Sequence, residues 1–162
     1  MIKDKIKTIK QLSRIINSLK KSGKRIGFTN GCFDILHVGH VKYLEKAKAI
    51  CDILVVAINS NASVKKIKGE GRPIIDEKDR MTIIAAVDTV DYVVKFSQET
   101  PLKIIKTIKP HVLIKGGDWR KEDIVGADFV QSYKGEVKSL PYIKGYSSTS
   151  IIKSALKKNI HK

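Results

Sequence analysis

The sequence predicts an α/β protein: one doubly wound parallel sheet of five strands with helices on both faces. Three observations carry this. Short apolar runs alternate with segments of helical periodicity along the whole chain of 162 residues. The run from Ile53 to Ile58 is unbroken and apolar, as in a strand covered on both faces. No repeat, low-complexity tract or linker divides the chain. Residues 1–162 are therefore read as a single domain, with an N-terminal helix over about 8–22 and a core over about 24–158.

The elements follow in order. Ile9, Leu12, Ile15, Ile16 and Leu19 recur at helical spacing, Thr8 can cap the start, and Gly23 stops the helix. Arg25 to Asn30 reads as a strand, with a turn at Gly31. A helix over about Gly39 to Ala49 puts Val41, Leu44 and Ala47 or Lys48 on one side. Ile53 to Ile58 is the second strand. Asp76 can cap a helix that runs through Met81, Ile83, Ile84 and Val87, and Tyr92 to Val94 is the third strand. Pro101 to Ile108 is helical, with proline at its first turn. His111 to Lys115 is the fourth strand, Lys121 to Tyr133 a helix, Gly135 to Leu140 the fifth strand and Ser148 to Lys158 a closing helix. In such sheets ligands bind beyond the carboxyl ends of the strands.

Composition narrows the partners. The chain carries 32 Lys and Arg against 16 Asp and Glu, a net charge of +16. Such an excess favours anionic ligands. The charge is mostly lysine, spread along the chain; arginine stands only at positions 14, 25, 72, 80 and 120. A solvated basic surface accounts for most of it, and Phe and Tyr form no stacking platform for RNA, so a nucleic-acid partner is not expected. No apolar run approaches the ~20 residues of a membrane span. The N-terminus lacks a signal-peptide core, which predicts a cytoplasmic chain with no membrane partner. Cys32 and Cys51 are too few for a disulfide framework and read as reduced thiols.

Chemistry concentrates in Thr29-Asn-Gly-Cys-Phe-Asp-Ile-Leu-His-Val-Gly-His40, between the first strand and the next helix. Gly31 permits a tight turn and Gly39 a close backbone approach. His37 and His40, three apart at a helix entry, project to one side, where free N–H groups add partial positive charge. The expected ligand is a polyphosphate. Two other readings remain for the histidines: half of a zinc site, for which no third ligand stands at matching spacing, and a structural pair. Neither GxxxxGK[ST] nor GxGxxG occurs.

The strings Gly31-Cys-Phe-Asp34 and His37-Val-Gly-His40 resemble the GxFD and HxGH signature of the nucleotidyltransferase superfamily, which implies a Rossmann-like fold. Three more stretches match: Lys65 to Ile74 with Asp79-Arg80, Lys115-Gly-Gly-Asp-Trp119, and Gly145-Tyr-Ser-Ser-Thr-Ser150. Together they are similar to the heptose 1-phosphate adenylyltransferase domain of bacterial ADP-heptose synthesis, over residues 8 to 157. The resemblance implies transfer of AMP from ATP to a sugar phosphate, with release of pyrophosphate.

It also implies roles. His37 and His40 contact the triphosphate and stabilise the transition state, with Lys68 as a mobile phosphate-reaching lysine and Arg80 as a phosphate clamp. Thr29, Asn30, Gly31, Cys32, Phe33 and Gly39 line the nucleotide, Asp118 meets ribose or substrate hydroxyls, and Ser147, Ser148 and Thr149 bind the β- and γ-phosphates. Lys65, Arg72, Lys115 and Trp119 face the sugar phosphate. The bland counterparts are surface lysines, an Arg80 ion pair with Asp76 or Glu77, and simple capping by Asp118 and the serines. Mg2+ is implied as the companion of ATP, held by the phosphates since no carboxylate cluster forms a cage. A homodimer is implied by resemblance alone. Lys144 stands where glycerol-3-phosphate cytidylyltransferases carry an arginine, which disfavours a cytidylyl reading. Asn61 stands where heptose enzymes often show an aspartate, so no role is assigned to that turn. Cytidylyl or guanylyl transfer to glycerol 3-phosphate or another sugar phosphate, and a basic RNA-binding module, are the alternatives.

Overall fold

The computed structural model describes residues 1–141, 143 and 145–159. Five strands form one all-parallel sheet: β1 (Ile26–Gly31), β2 (Ile53–Asn59), β3 (Tyr92–Phe96), β4 (Val112–Gly116) and β5 (Glu136–Leu140), in the order β3-β2-β1-β4-β5. The predicted architecture and each predicted strand are present. The helices are α1 (Ile2–Lys5), α2 (Ile9–Lys21), α3 (Val38–Lys48), α4 (Asn61–Lys68), α5 (Glu77–Ala86), α6 (Leu102–Ile108), α7 (Ala127–Ser132) and α8 (Ser148–Asn159).

Period-two alternation in β2 divides the core. Val55 and Ala57 face one cluster with Leu12 and Ile16 of α2, Ile104 and Ile105 of α6 and Val130 of α7. Leu54, Val56 and Ile58 face the other, with Tyr43, Leu44 and Ala47 of α3 and Ile84 and Ala85 of α5. Every residue of β2 from Leu54 to Asn59 is buried, as its unbroken apolar run requires.

Local chemistry sets the helix ends. The Thr8 hydroxyl accepts from the Gln11 N–H at 3.3 Å while Gln11 Oε1 accepts from the Thr8 N–H at 2.9 Å, a reciprocal cap for α2. Asp76 accepts from the Lys78 N–H at 2.9 Å and starts α5 as expected. The helix predicted over Lys121–Tyr133 is corrected. Lys121–Asp123 is a 3-10 turn and α7 begins only at Ala127. Gly126 between them takes φ +88°, and a Cβ there would stand 2.9 Å from Ile105 Cδ1. Two helices went unread: the single turn α1, and α4, which among its lysines buries only Ser63 and Val64.

Two features position the site. β1 and β2 pair at six positions from Ile26 to Gly31, but β1 and β4 only at Gly27–Val112 and Phe28–Leu113. The sheet therefore opens between the carboxyl ends of β1 and β4, where the winding reverses, which is where this topology places ligands. At the far edge, Ile6 forms a parallel bridge to Val93 and the Lys7 N–H donates to the Val93 carbonyl. Among the described residues no helix is long and apolar enough to cross a membrane.

Candidate active site

β1 ends at Gly31, and Cys32 to His37 turn over the opening of the sheet into α3. Phe33 takes φ +45°, a left-handed backbone that costs a non-glycine residue about 1–3 kcal/mol. Its ring is buried, and a Cβ on Gly31 would meet it at 2.9 Å. Asp34 is buried behind the turn; its carboxylate accepts from the Ile74 N–H at 2.9 Å, the Ile75 N–H at 2.9 Å and Arg72 Nε at 2.5 Å. Burial alone raises the Asp34 carboxyl, but the Ile75 and Ile74 amides and Arg72 outweigh it and hold it below the usual carboxylate range.

His37 and His40 stack, with ring centroids 3.8 Å apart and planes 23° apart. The Phe33 ring lies 5.2 Å from His40, and Tyr146 stacks on the far side of His37 at 6.5 Å. A Cβ on Gly39 would stand 3.0 Å from two atoms of the His37 ring and 3.1 Å from Tyr146 Cβ, so glycine makes room for this stack. Both Nδ1 atoms are buried without a hydrogen-bond partner among the described residues. A proton on either would be a buried donor with no described acceptor, which favours the neutral tautomer protonated on Nε2. Burial, with His37 adding, pushes His40 down to about 4, and burial lowers His37 as well. Both rings are thus neutral hydrogen-bond donors near pH 7.

Cationic side chains surround the turn. Burial raises the Cys32 thiol against the opposing fields of Lys68 from α4, Arg80 from α5 and Lys115 from β4. Lys115 is half-buried, its Nζ 5.8 Å from the centre of the Trp119 ring, and burial lowers it from the ordinary lysine value. Trp119 Nε1 donates to the Gly116 carbonyl at 3.1 Å. At the start of α8, Ser147 Oγ accepts from the Ser150 N–H at 3.0 Å and Ser148 Oγ donates to the Ile35 carbonyl at 3.2 Å. The helix N-terminus is thereby pinned over the turn, with the Tyr146 ring just before it against His37.

The fold brings together His37, His40, Gly31, Cys32, Phe33, Gly39, Lys68, Lys115, Trp119 and Ser148. Several of the other expected residues are engaged elsewhere. Thr29 is fully buried and shares a 2.7 Å hydrogen bond with Tyr43. Arg72 holds Asp34. Lys65 pairs with Glu70 at 3.0 Å on the surface. Arg80 is 0% exposed; it donates to the carbonyls of Ile75 and Cys32 and to Asn61 Oδ1, and forms no ion pair with Asp76 or Glu77. Asn30, the penultimate residue of β1, is half-buried, while Asp118 and Thr149 are exposed. Ser147 serves as a helix cap. Lys144 lies outside the described residues. Sequence reasoning missed Tyr146, the bracing role of Asp34, and Asn61. Asp34 was in plain view inside its motif, and Tyr146 adjoins the serine run.

The sequence profile of the cytidylyltransferase-like family matches residues 28–154, from the middle of β1 into α8. The chain belongs to the cytidylyltransferase-like family. The family match bears out the nucleotidyltransferase resemblance read from the two motifs. Bifunctional protein HldE of Geobacter metallireducens is 54% identical over 153 residues, which are 94% of this chain and 31% of that one. Bifunctional protein HldE of Aliarcobacter butzleri is 51% identical over 148 residues, 91% of this chain and 30% of that one. The chain thus spans about a third of the length of the curated relatives it matches. The crystal structure of the lipopolysaccharide core biosynthesis protein from Thermoplasma volcanium superposes with a TM-score of 0.62 at 26% identity, over 77% of this chain and all of the other. Pantoate-beta-alanine ligase from Francisella tularensis, complexed with beta-gamma ATP and beta-alanine, gives 0.60 at 20% identity over 90% and 74%, a likeness of fold alone.

Proposed function

We propose that this chain is a nucleotidyltransferase that moves AMP from ATP to a heptose 1-phosphate, giving ADP-heptose and pyrophosphate. The observation that carries the reading is the stacked pair of imidazoles, both with Nδ1 buried, beside the turn that follows β1. The identity of about half with the HldE proteins supports the sugar-nucleotide assignment.

In the reaction a phosphate oxygen of the sugar attacks the α-phosphorus, the new O–P bond forms, and the bond to the β-phosphate oxygen breaks. No protein nucleophile takes part. Negative charge grows on the α-phosphoryl oxygens and on the leaving pyrophosphate. His37 and His40 donate Nε2–H to those oxygens. The amides of the Cys32–Phe33 turn and of the α8 N-terminus hold the triphosphate. Lys68 swings in from the end of α4, and Lys115 steadies the acceptor phosphate from β4. Asp118 and Trp119, at the mouth of β4, flank ribose or sugar. ATP enters as its magnesium complex. The phosphates of that complex supply most of the ligands to the ion. The reading extends to a single catalytic domain acting in the cytoplasm on small molecules, and to a homodimer, which sedimentation equilibrium tests.

Pyrophosphate release measured across ATP, CTP and GTP, each with heptose 1-phosphate, glycerol 3-phosphate and another sugar phosphate, tests the function. Release with ATP and heptose 1-phosphate is expected. Release only with CTP would favour the cytidylyl reading that the family's description suggests.

A further inference from the structure

The Cys32–Asp34 turn holds a left-handed residue, Phe33, between two anchors. Such a conformation persists only where its surroundings over-determine it. The anchor after it is the Asp34 carboxylate, gripped by Arg72 and the Ile74 and Ile75 amides. The anchor before it is the Cys32 carbonyl, which accepts from Arg80 Nη1 at 2.5 Å. Arg80 is itself fixed by the Ile75 carbonyl at 2.9 Å and by Asn61 Oδ1 at 3.0 Å. All three of its acceptors are neutral oxygens, so no carboxylate touches this buried guanidinium.

Asn61 is what makes that arrangement compatible with its neighbours. Its Oδ1 accepts from Arg80 while its Nδ2 donates to Asp76 Oδ2 at 2.7 Å, and its backbone N–H donates to Glu77 Oε2 at 2.7 Å. Glu77 is in turn paired with Lys95 of β3. A carboxamide, unlike a carboxylate or an ammonium, can accept from a cation on one side and donate to a carboxylate on the other. The turn after β2 and the start of α5 are thus tied, through one guanidinium, to the backbone beneath Phe33 and His40.

We propose that Asn61 and Arg80 are positioning residues of the nucleotide site: acting through the Cys32 carbonyl, they hold the strained Phe33 turn that aims the loop amides and the His40 ring at the phosphates. For its activity readout the proposal rests on the adenylyltransferase reading. It replaces direct phosphate contact by Arg80 with an indirect action.

The experiment compares Asn61→Ala, Asn61→Asp and Arg80→Lys with the unaltered chain, by steady-state pyrophosphate release, calorimetric binding of MgATP and amide NMR. Asn61→Ala should fold, bind MgATP within about 3-fold of the parent and lose at least ~10-fold in kcat, since small misplacements of reacting groups cost that much or more. Arg80→Lys, one point charge in place of a fork, should show the same split more strongly. Asn61→Asp sets a carboxylate against Asp76, between Glu77 and Arg80, so its deficit relative to the parent should shrink as pH falls and one carboxyl takes a proton. The Cys32, Phe33 and Asp34 amide resonances should shift in Asn61→Ala. Unchanged kcat in folded Asn61→Ala, a loss confined to MgATP affinity, or unshifted Cys32–Asp34 amides would each overturn the proposal. Should the unaltered chain transfer no nucleotide, the function fails and the amide shifts alone decide the positioning role.

Discussion

The His37 and His40 rings lie face to face at 3.8 Å, and each keeps its Nδ1 buried with no partner among the described residues. Two charged imidazoles could not share that space, so the pair works as neutral donors. His40→Ala removes one donor at the developing charge. Turnover should fall at least ~100-fold with the melting temperature nearly unchanged. Pyrophosphate release and a thermal scan on the same preparation check this, and near-normal turnover would remove His40 from the chemistry.

The same burial has a pH signature. His37, His40 and His111 all have lowered values in the folded chain, His40 to about 4, and His111 Nδ1 accepts from the Ile26 N–H at 2.9 Å. The unfolded chain then binds more protons, so the stability these groups give is full above about pH 6.5 and drains away as pH falls through their folded values. The His40 shift alone is worth on the order of 3 kcal/mol. Urea midpoints without nucleotide should drop between pH 7 and pH 4.5, and a flat series would contradict neutral burial.

Lys115 carries a half-buried ammonium with an aromatic ring, rather than a carboxylate, as its neighbour. Lys115→Met should leave stability equal or slightly higher, because a desolvated charge is removed. It should lower kcat/KM by about 10-fold, through the acceptor phosphate. Denaturant melts and kinetics with the sugar phosphate varied give both numbers.

Gly39→Ala sets two effects against each other. Alanine improves helix propensity by up to about 1 kcal/mol, yet its Cβ meets the His37 ring at 3.0 Å. Stability should change by less than about 1 kcal/mol while kcat falls several-fold. A variant with full kcat would mean that the stack tolerates displacement.

Asp34→Ala strands Arg72 and two backbone N–H groups in a buried place. The loss should be about 3 kcal/mol or more, read as a lower urea midpoint with an unchanged slope.

Much of this molecule was legible in the chain. The unbroken run in β2 and the alternation of elements predicted a parallel doubly wound sheet, since only burial on both faces makes such a run useful. The two histidines and their glycine gave the core of the site, because their spacing is local. What escaped was non-local. Arg80 reads as a phosphate clamp or an ion-pair partner until Cys32 and Asn61, 48 and 19 positions away, are seen to enclose it. Thr29 looks like a ligand contact until Tyr43 is found opposite it. The break at Gly126 depends on Ile105 of another helix, and α4 is too short and lysine-rich for its periodicity to stand out.

The bridge from Ile6 to Val93 has a bearing on solubility. A parallel sheet ends in two margins of unpaired amides and carbonyls, each a template for a foreign strand. Here the first residues of the chain lie along one margin, at β3. The other, β5, carries Glu136 bonded to both Arg25 and Lys138, so charge guards it. Neither border invites cross-β association.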